Sequence, residues 1–140
     1  MKKLLILILP VFFIFSCATA QIYKAKMIEN EDVNKIIQKI ILAQPSDYAA
    51  EKVDIDSESI RITTNKSELN VWSFTSNVVS RTDTIEKQRF AYTKIRPYKR
   101  DFYNVQIYNT KNVKVYEIVT SYKDDAEKFC DALYTWSSIK

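Results

Sequence analysis

The chain has 140 residues and a formal net charge of +4 at pH 7, with no histidine and no glycine. Without histidine, Ser-His-Asp and Cys-His nucleophile systems and imidazole-based zinc sites are excluded. Without glycine, the glycine-rich loops that bind nucleotide phosphates are excluded as well. The small positive excess does not indicate nucleic-acid binding, and the residues imply no cofactor and no metal site.

Residues 1–20 have the layout of a secretory signal. Lys2 and Lys3 form a positive region, an apolar core runs from Leu4 to Phe15, and small residues follow. This core is shorter than the roughly 18 apolar residues that a membrane span needs. We therefore expect an exported protein of the periplasm, cell envelope or extracellular space, with one mature domain over residues 21–140.

Two processing routes fit the end of this leader. Ala18-Thr19-Ala20 matches the small-x-small pattern of the ordinary signal peptidase, which would release a soluble protein. Ile14-Phe15-Ser16-Cys17 resembles a bacterial lipobox, although Phe15 stands where a small residue is usual. Lipidation at Cys17 would hold the domain at a membrane surface. The residues leave both routes open.

After a polar lead-in over residues 21–29, the first predicted element is an amphipathic helix over about 31–43. Its apolar stripe has helical spacing and consists of Val33, Ile36, Ile37, Ile40 and Ile41. Asn30 or Glu31 is expected to cap its start, and Pro45 to end it near Ala43. The stripe predicts packing against the protein's own core, with a docking face for a partner as the alternative.

From about residue 53 to 119 the pattern alternates, which predicts six or seven antiparallel strands. The alternating segments are 60–63, 71–74, 90–93, 105–108 and 113–116. Because glycine is absent, turns must use asparagine and aspartate, which tolerate left-handed backbone conformations. The expected turn positions are Asn65-Lys66-Ser67, Asn77, Asp83 and 109–112.

A second amphipathic helix is predicted over about 122–137. Ser121 and Asp124 have capping-box spacing, and Asp124 with Asp125 supplies the negative charge that favours a helix start. Its apolar stripe is Ala126, Phe129, Cys130, Leu133 and Trp136. Cys130 is the only cysteine beyond the leader, and we expect it to be a buried apolar residue rather than a reactive thiol.

A strand series closed by one C-terminal helix with a late tryptophan resembles the pleckstrin-homology-like (PH-like) barrel. The segments that carry the resemblance are Tyr103–Ile107, Val115–Val119 and Asp124–Phe129. The resemblance implies an α+β fold, in which a barrel or sandwich of six to seven antiparallel strands is plugged by the last helix, and the N-terminal helix is an addition. The family's phosphoinositide-binding role is not implied, because the required lysine and arginine spacing is absent.

One segment is a candidate binding surface. Six cations fall within fourteen residues, interleaved with Phe90, Tyr92 and Tyr98; they are Lys87, Arg89, Lys94, Arg96, Lys99 and Arg100. The first interpretation is the solvated face of a strand and its loop, with the aromatic residues turned inward. The alternative is an anion-binding face for acidic lipid headgroups, polyanionic glycan or an acidic protein. Tyr98, Tyr103 and Tyr108 could form a tyrosine-rich binding face, but strand propensity explains the same residues without any partner.

From these features we expect a non-enzymatic interaction module of the bacterial cell envelope. Its partner would be an envelope protein or surface component, contacted through the barrel exterior or an exposed strand edge. One alternative is a binder of anionic surfaces through residues 87–100. Another is a small carboxylate-based hydrolase, for which no spacing singles out a carboxylate pair, so no catalytic residue is predicted.

Overall fold

The computed structural model describes residues 19–29, 32–70, 73, 75–99 and 101–139. The strands within them are β1 (Gln21–Ile22), β2 (Lys52–Ile55), β3 (Ser59–Asn70), β4 (Thr75–Glu86), β5 (Phe90–Tyr98), β6 (Phe102–Asn109) and β7 (Lys114–Thr120). The helices are α1 (Val33–Leu42), α2 (Lys123–Ser138) and two 3₁₀-helices, Ser46–Tyr48 and Lys87–Arg89. The predicted leader up to residue 18, Cys17 included, lies outside the described residues.

The described strands form two antiparallel sheets, so the predicted α+β class with antiparallel pairing is confirmed. One sheet has the order β1-β5-β6-β7 and the other has the order β2-β3-β4. Among these strands the two sheets stay separate and do not close into one barrel. The lead-in before α1 is not wholly irregular, because β1 pairs with β5 through Gln21–Ile95 and Ile22–Lys94.

The hydrophobic core lies between the helices and one face of each sheet. Both helices contribute the stripes expected from their 3.6-residue period, and the strands contribute alternate residues. The fully buried members are Ile37, Ile41, Ile60, Ile62, Val105, Ile107, Ile118, Ala126, Phe129, Cys130, Ala132 and Leu133. Trp136 is also buried, and its indole nitrogen donates to the carbonyl of Asp56 at 3.3 Å. The helix α2 therefore joins the core through its predicted apolar stripe.

Both helix starts differ from the expected caps. Asp32 caps α1, because its carboxylate accepts the backbone N–H of Lys35 at 3.1 Å. Asn30 and Glu31, the predicted caps, lie outside the described residues. The capping box at Ser121 is wrong: α2 begins at Lys123, and its cap residue makes no side-chain capping bond. The N-cap position is Tyr122, so Ser121 lies one residue too early to form a capping box.

Three of the four predicted turns are wrong. The segment Asn65–Ser67 lies inside β3, and Asn77 and Asp83 lie inside β4, in a ladder that runs unbroken from Ser59–Glu86 to Asn70–Thr75. The far half of this hairpin is exposed, so its strands need no apolar face and lack the alternation that marks a strand. Of the predicted strand over residues 71–74 only Ser73 is described, and it lies in a turn; residues 71, 72 and 74 lie outside the described part of the chain.

The fourth predicted turn, between β6 and β7, is confirmed. Asn112 takes a positive φ of 59° there, as expected of asparagine in a chain without glycine. The side-chain oxygen of Asn109 accepts the backbone N–H groups of Lys111 and Val113, both at 3.0 Å. The turn thus uses asparagine twice, once for the left-handed backbone and once as an acceptor.

Candidate functional site

The structure brings together three of the six predicted cations. Lys94 and Arg96 lie on β5, and Lys99 lies in the turn that follows this strand with a φ of 30°. Arg100 lies outside the described residues.

The remaining two cations of the segment lie elsewhere, on the 3₁₀-helix before β5. Lys87 lies over the ring of Trp136, with its Nζ 5.4 Å from the ring centroid. Arg89 forms an ion pair with Glu86 at 3.0 Å. The predicted anion-binding set therefore reduces to Lys94, Arg96 and Lys99 among the described residues.

Strand geometry explains why these cations share a surface with tyrosines. Alternate residues of a strand point to opposite faces, so Lys94 and Arg96 lie with Tyr92 and Tyr98, opposite the core-facing Ile95. A register shift between Phe90 and Tyr92 lets Phe90 pack against the core while Tyr92 turns outward. The prediction that the aromatic side chains of this segment turn inward is therefore confirmed for Phe90 and wrong for Tyr92 and Tyr98.

We call this surface the cation–tyrosine face and define it as Tyr92, Lys94, Arg96, Tyr98, Lys99 and Tyr108. At one end, the rings of Tyr92 and Tyr108 stack with centroids 5.0 Å apart and planes 10° apart. Lys94 lies over this pair, its Nζ 4.8 Å from the Tyr108 centroid and 5.8 Å from that of Tyr92. Such cation–π contacts hold the ammonium group in place while leaving it charged.

At the other end, two cations surround one tyrosine. The guanidinium carbon of Arg96 is 5.8 Å from the Tyr98 ring centroid, and Lys99 Nζ is 5.4 Å from it. The hydroxyl of Tyr48, from the 3₁₀-helix after α1, lies 2.8 Å from that of Tyr98. This hydrogen bond, helped by the charge of Lys99, lowers the pKa of Tyr98 below its ordinary value. Sequence patterning did not indicate Tyr48, because 50 residues separate it from Tyr98.

The face carries uncompensated positive charge. Among the described residues, no carboxylate lies within ion-pair distance of Lys94, Arg96 or Lys99, whereas several other cations of the chain are paired. The neighbouring strand β7 brings one carboxylate, Glu117, to the same side of the sheet. Lys114 neutralises it at 2.6 Å. The local field of the face is therefore positive although the whole chain is only weakly basic.

Two buried polar atoms at the centre of this face have unused hydrogen-bonding capacity. Arg96 and Asn104 are cross-strand partners, and Asn104 is only 2% exposed. Within the described part of the chain, Arg96 Nε and Asn104 Oδ1 are buried without a hydrogen-bond partner. Buried polar atoms are normally paired, so a donor and an acceptor remain to be satisfied here.

Tyr103 does not join the face. It lies on the opposite side of β6 and packs against the core, whereas Tyr98 and Tyr108 belong to the cation–tyrosine face. The predicted tyrosine set is therefore divided between the two sides of the sheet.

A cleft of about 400 Å³ separates the outer edge of β7 from the β3–β4 hairpin and the 3₁₀-helix Ser46–Tyr48. Two of its carboxylates, Asp83 and Glu117, are each held by a cation, Arg81 at 2.8 Å and Lys114 at 2.6 Å. The cleft is therefore lined by two ion pairs.

Cys130 is fully buried in the core, as predicted, and burial raises the pKa of its thiol to about 12. A thiol of this kind is protonated at neutral pH and is a poor nucleophile. In the described part of the chain, no cluster of three or more cysteine, aspartate or glutamate side chains could hold a metal ion. No helix within the described ranges has both the length and the apolar character to cross a membrane.

No family model, no curated protein and no solved structure matches this chain.

Proposed function

We propose that the chain is a non-enzymatic interaction module of the bacterial cell envelope that binds an anionic partner through the cation–tyrosine face. The leader-like residues 1–20 support export. One observation carries the choice of surface: Lys94 and Arg96 on one face of β5, and Lys99 in the turn after it, lie against tyrosine rings, and no described carboxylate pairs with them.

The chemistry of this face suits phosphate, sulfate or carboxylate groups. The guanidinium of Arg96 can bind two oxygens at once, and the ammonium groups of Lys94 and Lys99 act as compact point charges. Contacts with Tyr98 and Tyr108 restrict these cations before a partner arrives, which lowers the entropy lost on binding. An anion that bridges all three cations would therefore bind better here than at scattered surface lysines.

We also propose that the two sheets and α2 form an open variant of the PH-like barrel. Its support is the order of elements, in which antiparallel strands are followed by a C-terminal helix whose Phe129, Leu133 and Trp136 are buried. Such scaffolds serve many binding functions, so the choice of partner rests on the surface and not on the fold.

The binding function is tested with dextran sulfate, a soluble polyanion that contains no lipid. The variant Lys94→Ser/Arg96→Ser/Lys99→Ser removes the three cations of the face. We expect it to bind at least about tenfold more weakly than the wild type in a calorimetric titration, because each cation near an anionic surface contributes about 1 kcal/mol. Thermal unfolding of each protein checks that the fold is kept.

The matched control is Lys35→Ser/Lys52→Ser/Arg61→Ser, which removes the same total charge from another part of the surface. These three cations are paired with Asp32, Asp54 and Asp56. The control should bind dextran sulfate nearly as well as the wild type. Equal weakening in both triple variants would mean that only net charge matters, and would refute the assignment of the face.

A further inference from the structure

We infer that the occupant of the cation–tyrosine face is the anionic headgroup surface of a membrane, against which β1 and β5 lie. This inference rests on the proposed function, since it uses the same three cations, and it adds the partner's chemical class and the orientation of the bound domain. It is carried by three features: the position of β1, an exposed isoleucine beside the cations, and the short distance to the leader.

The first feature is that the chain enters the sheet directly after the leader. The backbone N–H of Tyr23 donates to the carbonyl of Thr93 at 2.9 Å, and Gln21 and Ile22 pair with Ile95 and Lys94. The strand that bears the cations is therefore the sheet neighbour of the first described strand. If the residues before Gln21 are held at a membrane surface, β5 therefore also lies near that surface.

The second feature is the side chain of Ile22, which is 66% exposed. Directly paired residues of neighbouring strands place their side chains on the same sheet face, so Ile22 lies beside Lys94. An apolar side chain next to cations and tyrosine rings is the composition of a membrane-interface surface, where the apolar group enters the headgroup region and the cations meet phosphates. A soluble polyanion has no apolar region into which the side chain of Ile22 could insert.

The third feature is distance. Cys17, the predicted lipidation residue, precedes Gln21 by four residues, which span at most about 14 Å of extended chain. A lipid at Cys17 would thus leave β1 and the adjacent face within reach of the headgroups. Two weak membrane contacts in series, an anchor and a cationic face, bind far more strongly than either alone.

The membrane inference is tested without the anchor, so that only the face contributes. The chain is produced with Cys17→Ser, so that the exported protein carries no lipid. It is mixed with vesicles of phosphatidylcholine and phosphatidylglycerol, or of phosphatidylcholine alone, and bound protein is measured by sedimentation. We expect binding to the anionic vesicles only. The triple variant at positions 94, 96 and 99 should bind roughly a hundredfold more weakly, at about fivefold for each cation. The control at positions 35, 52 and 61 should stay within about threefold of the parent.

Substitution of Ile22 separates a membrane from a soluble polyanion. Ile22→Ser should weaken vesicle binding about fivefold, because it removes an apolar side chain from the interface, and should leave dextran sulfate binding unchanged. If the parent chain binds dextran sulfate but not anionic vesicles, the membrane inference is overturned and the proposed function stands. If the parent chain binds neither dextran sulfate nor anionic vesicles, both the proposed function and the membrane inference are refuted. Equal affinity of Ile22→Ser and parent for vesicles would overturn the inferred orientation.

Discussion

Phe129→Ala should lower the free energy of unfolding by about 3–5 kcal/mol, measured by urea denaturation. Among the described residues, Phe129 is the largest side chain with no exposed surface, and it lies in the middle of the α2 stripe that packs against α1 and the four-stranded sheet. Its removal forfeits the transfer free energy of the ring and leaves a cavity that rigid neighbours on several elements fill only in part. A loss of this size is a large fraction of the stability of a small domain.

The control for this prediction is Tyr134→Ala on the same helix. Tyr134 is 41% exposed, so its truncation should cost less than about 1 kcal/mol. If Phe129→Ala does not fold at all, Phe129→Leu keeps the test open, because it should fold with an intermediate loss. Similar small losses for Phe129→Ala and Tyr134→Ala would contradict the packing of α2 into the core.

The second large effect concerns the β3–β4 hairpin, whose two halves should respond very differently when a β-branched apolar residue is replaced by threonine. Ile62→Thr should cost about 2–4 kcal/mol, since it removes buried apolar atoms and buries a hydroxyl group. Val78→Thr should change stability by less than about 0.5 kcal/mol. Ile62 is a fully buried member of the core, whereas Val78 is 66% exposed on the outer half of the hairpin.

Both replacements introduce the same β-branched residue into a strand, so strand propensity is held nearly constant. The comparison therefore isolates burial. A large loss for Val78→Thr would show that the outer half of the hairpin is covered in solution. A negligible loss for Ile62→Thr would contradict the position of the three-stranded sheet over the core.

The parts of the fold that follow from burial were predictable from the sequence. The stripes of both helices and the alternation around Ile60, Val105 and Ile107 reflect side chains that must leave water. In the structure these residues are buried, except Ile36, which is partly buried against the core. Pro45 correctly indicated the end of α1. An apolar period in the sequence arises only where one side of an element packs against the core. Elements that contact the core were therefore predicted.

Elements held mainly by backbone hydrogen bonds were not predictable in this way. The strand β1 has two residues, too few for a period, and is held by its ladder to β5. The outer half of the β3–β4 hairpin has polar residues on both faces, so Asn65 and Asn77 indicated turns where the backbone continues as a ladder. Asparagine permits a turn, but it does not require one.

The candidate site was predictable only in part. The spacing of Lys94 and Arg96 places them on one face of any strand, and the structure confirms this arrangement. The same spacing at Lys87 and Arg89 does not place these two residues on one strand face, because they lie on a 3₁₀-helix. The contact of Tyr48 with Tyr98 and the register shift at Phe90 depend on tertiary packing and left no local signal.

Lysine footprinting tests the central claim most directly, because it reports which surface is covered. The wild-type protein is briefly acetylated with and without dextran sulfate, and each modified lysine is located by mass spectrometry. Lys94 and Lys99 should be protected by the polyanion, while Lys35 and Lys52, which lie in ion pairs elsewhere, should react at unchanged rates. Protection of Lys35 and Lys52 with continued labelling of Lys94 and Lys99 would contradict the account.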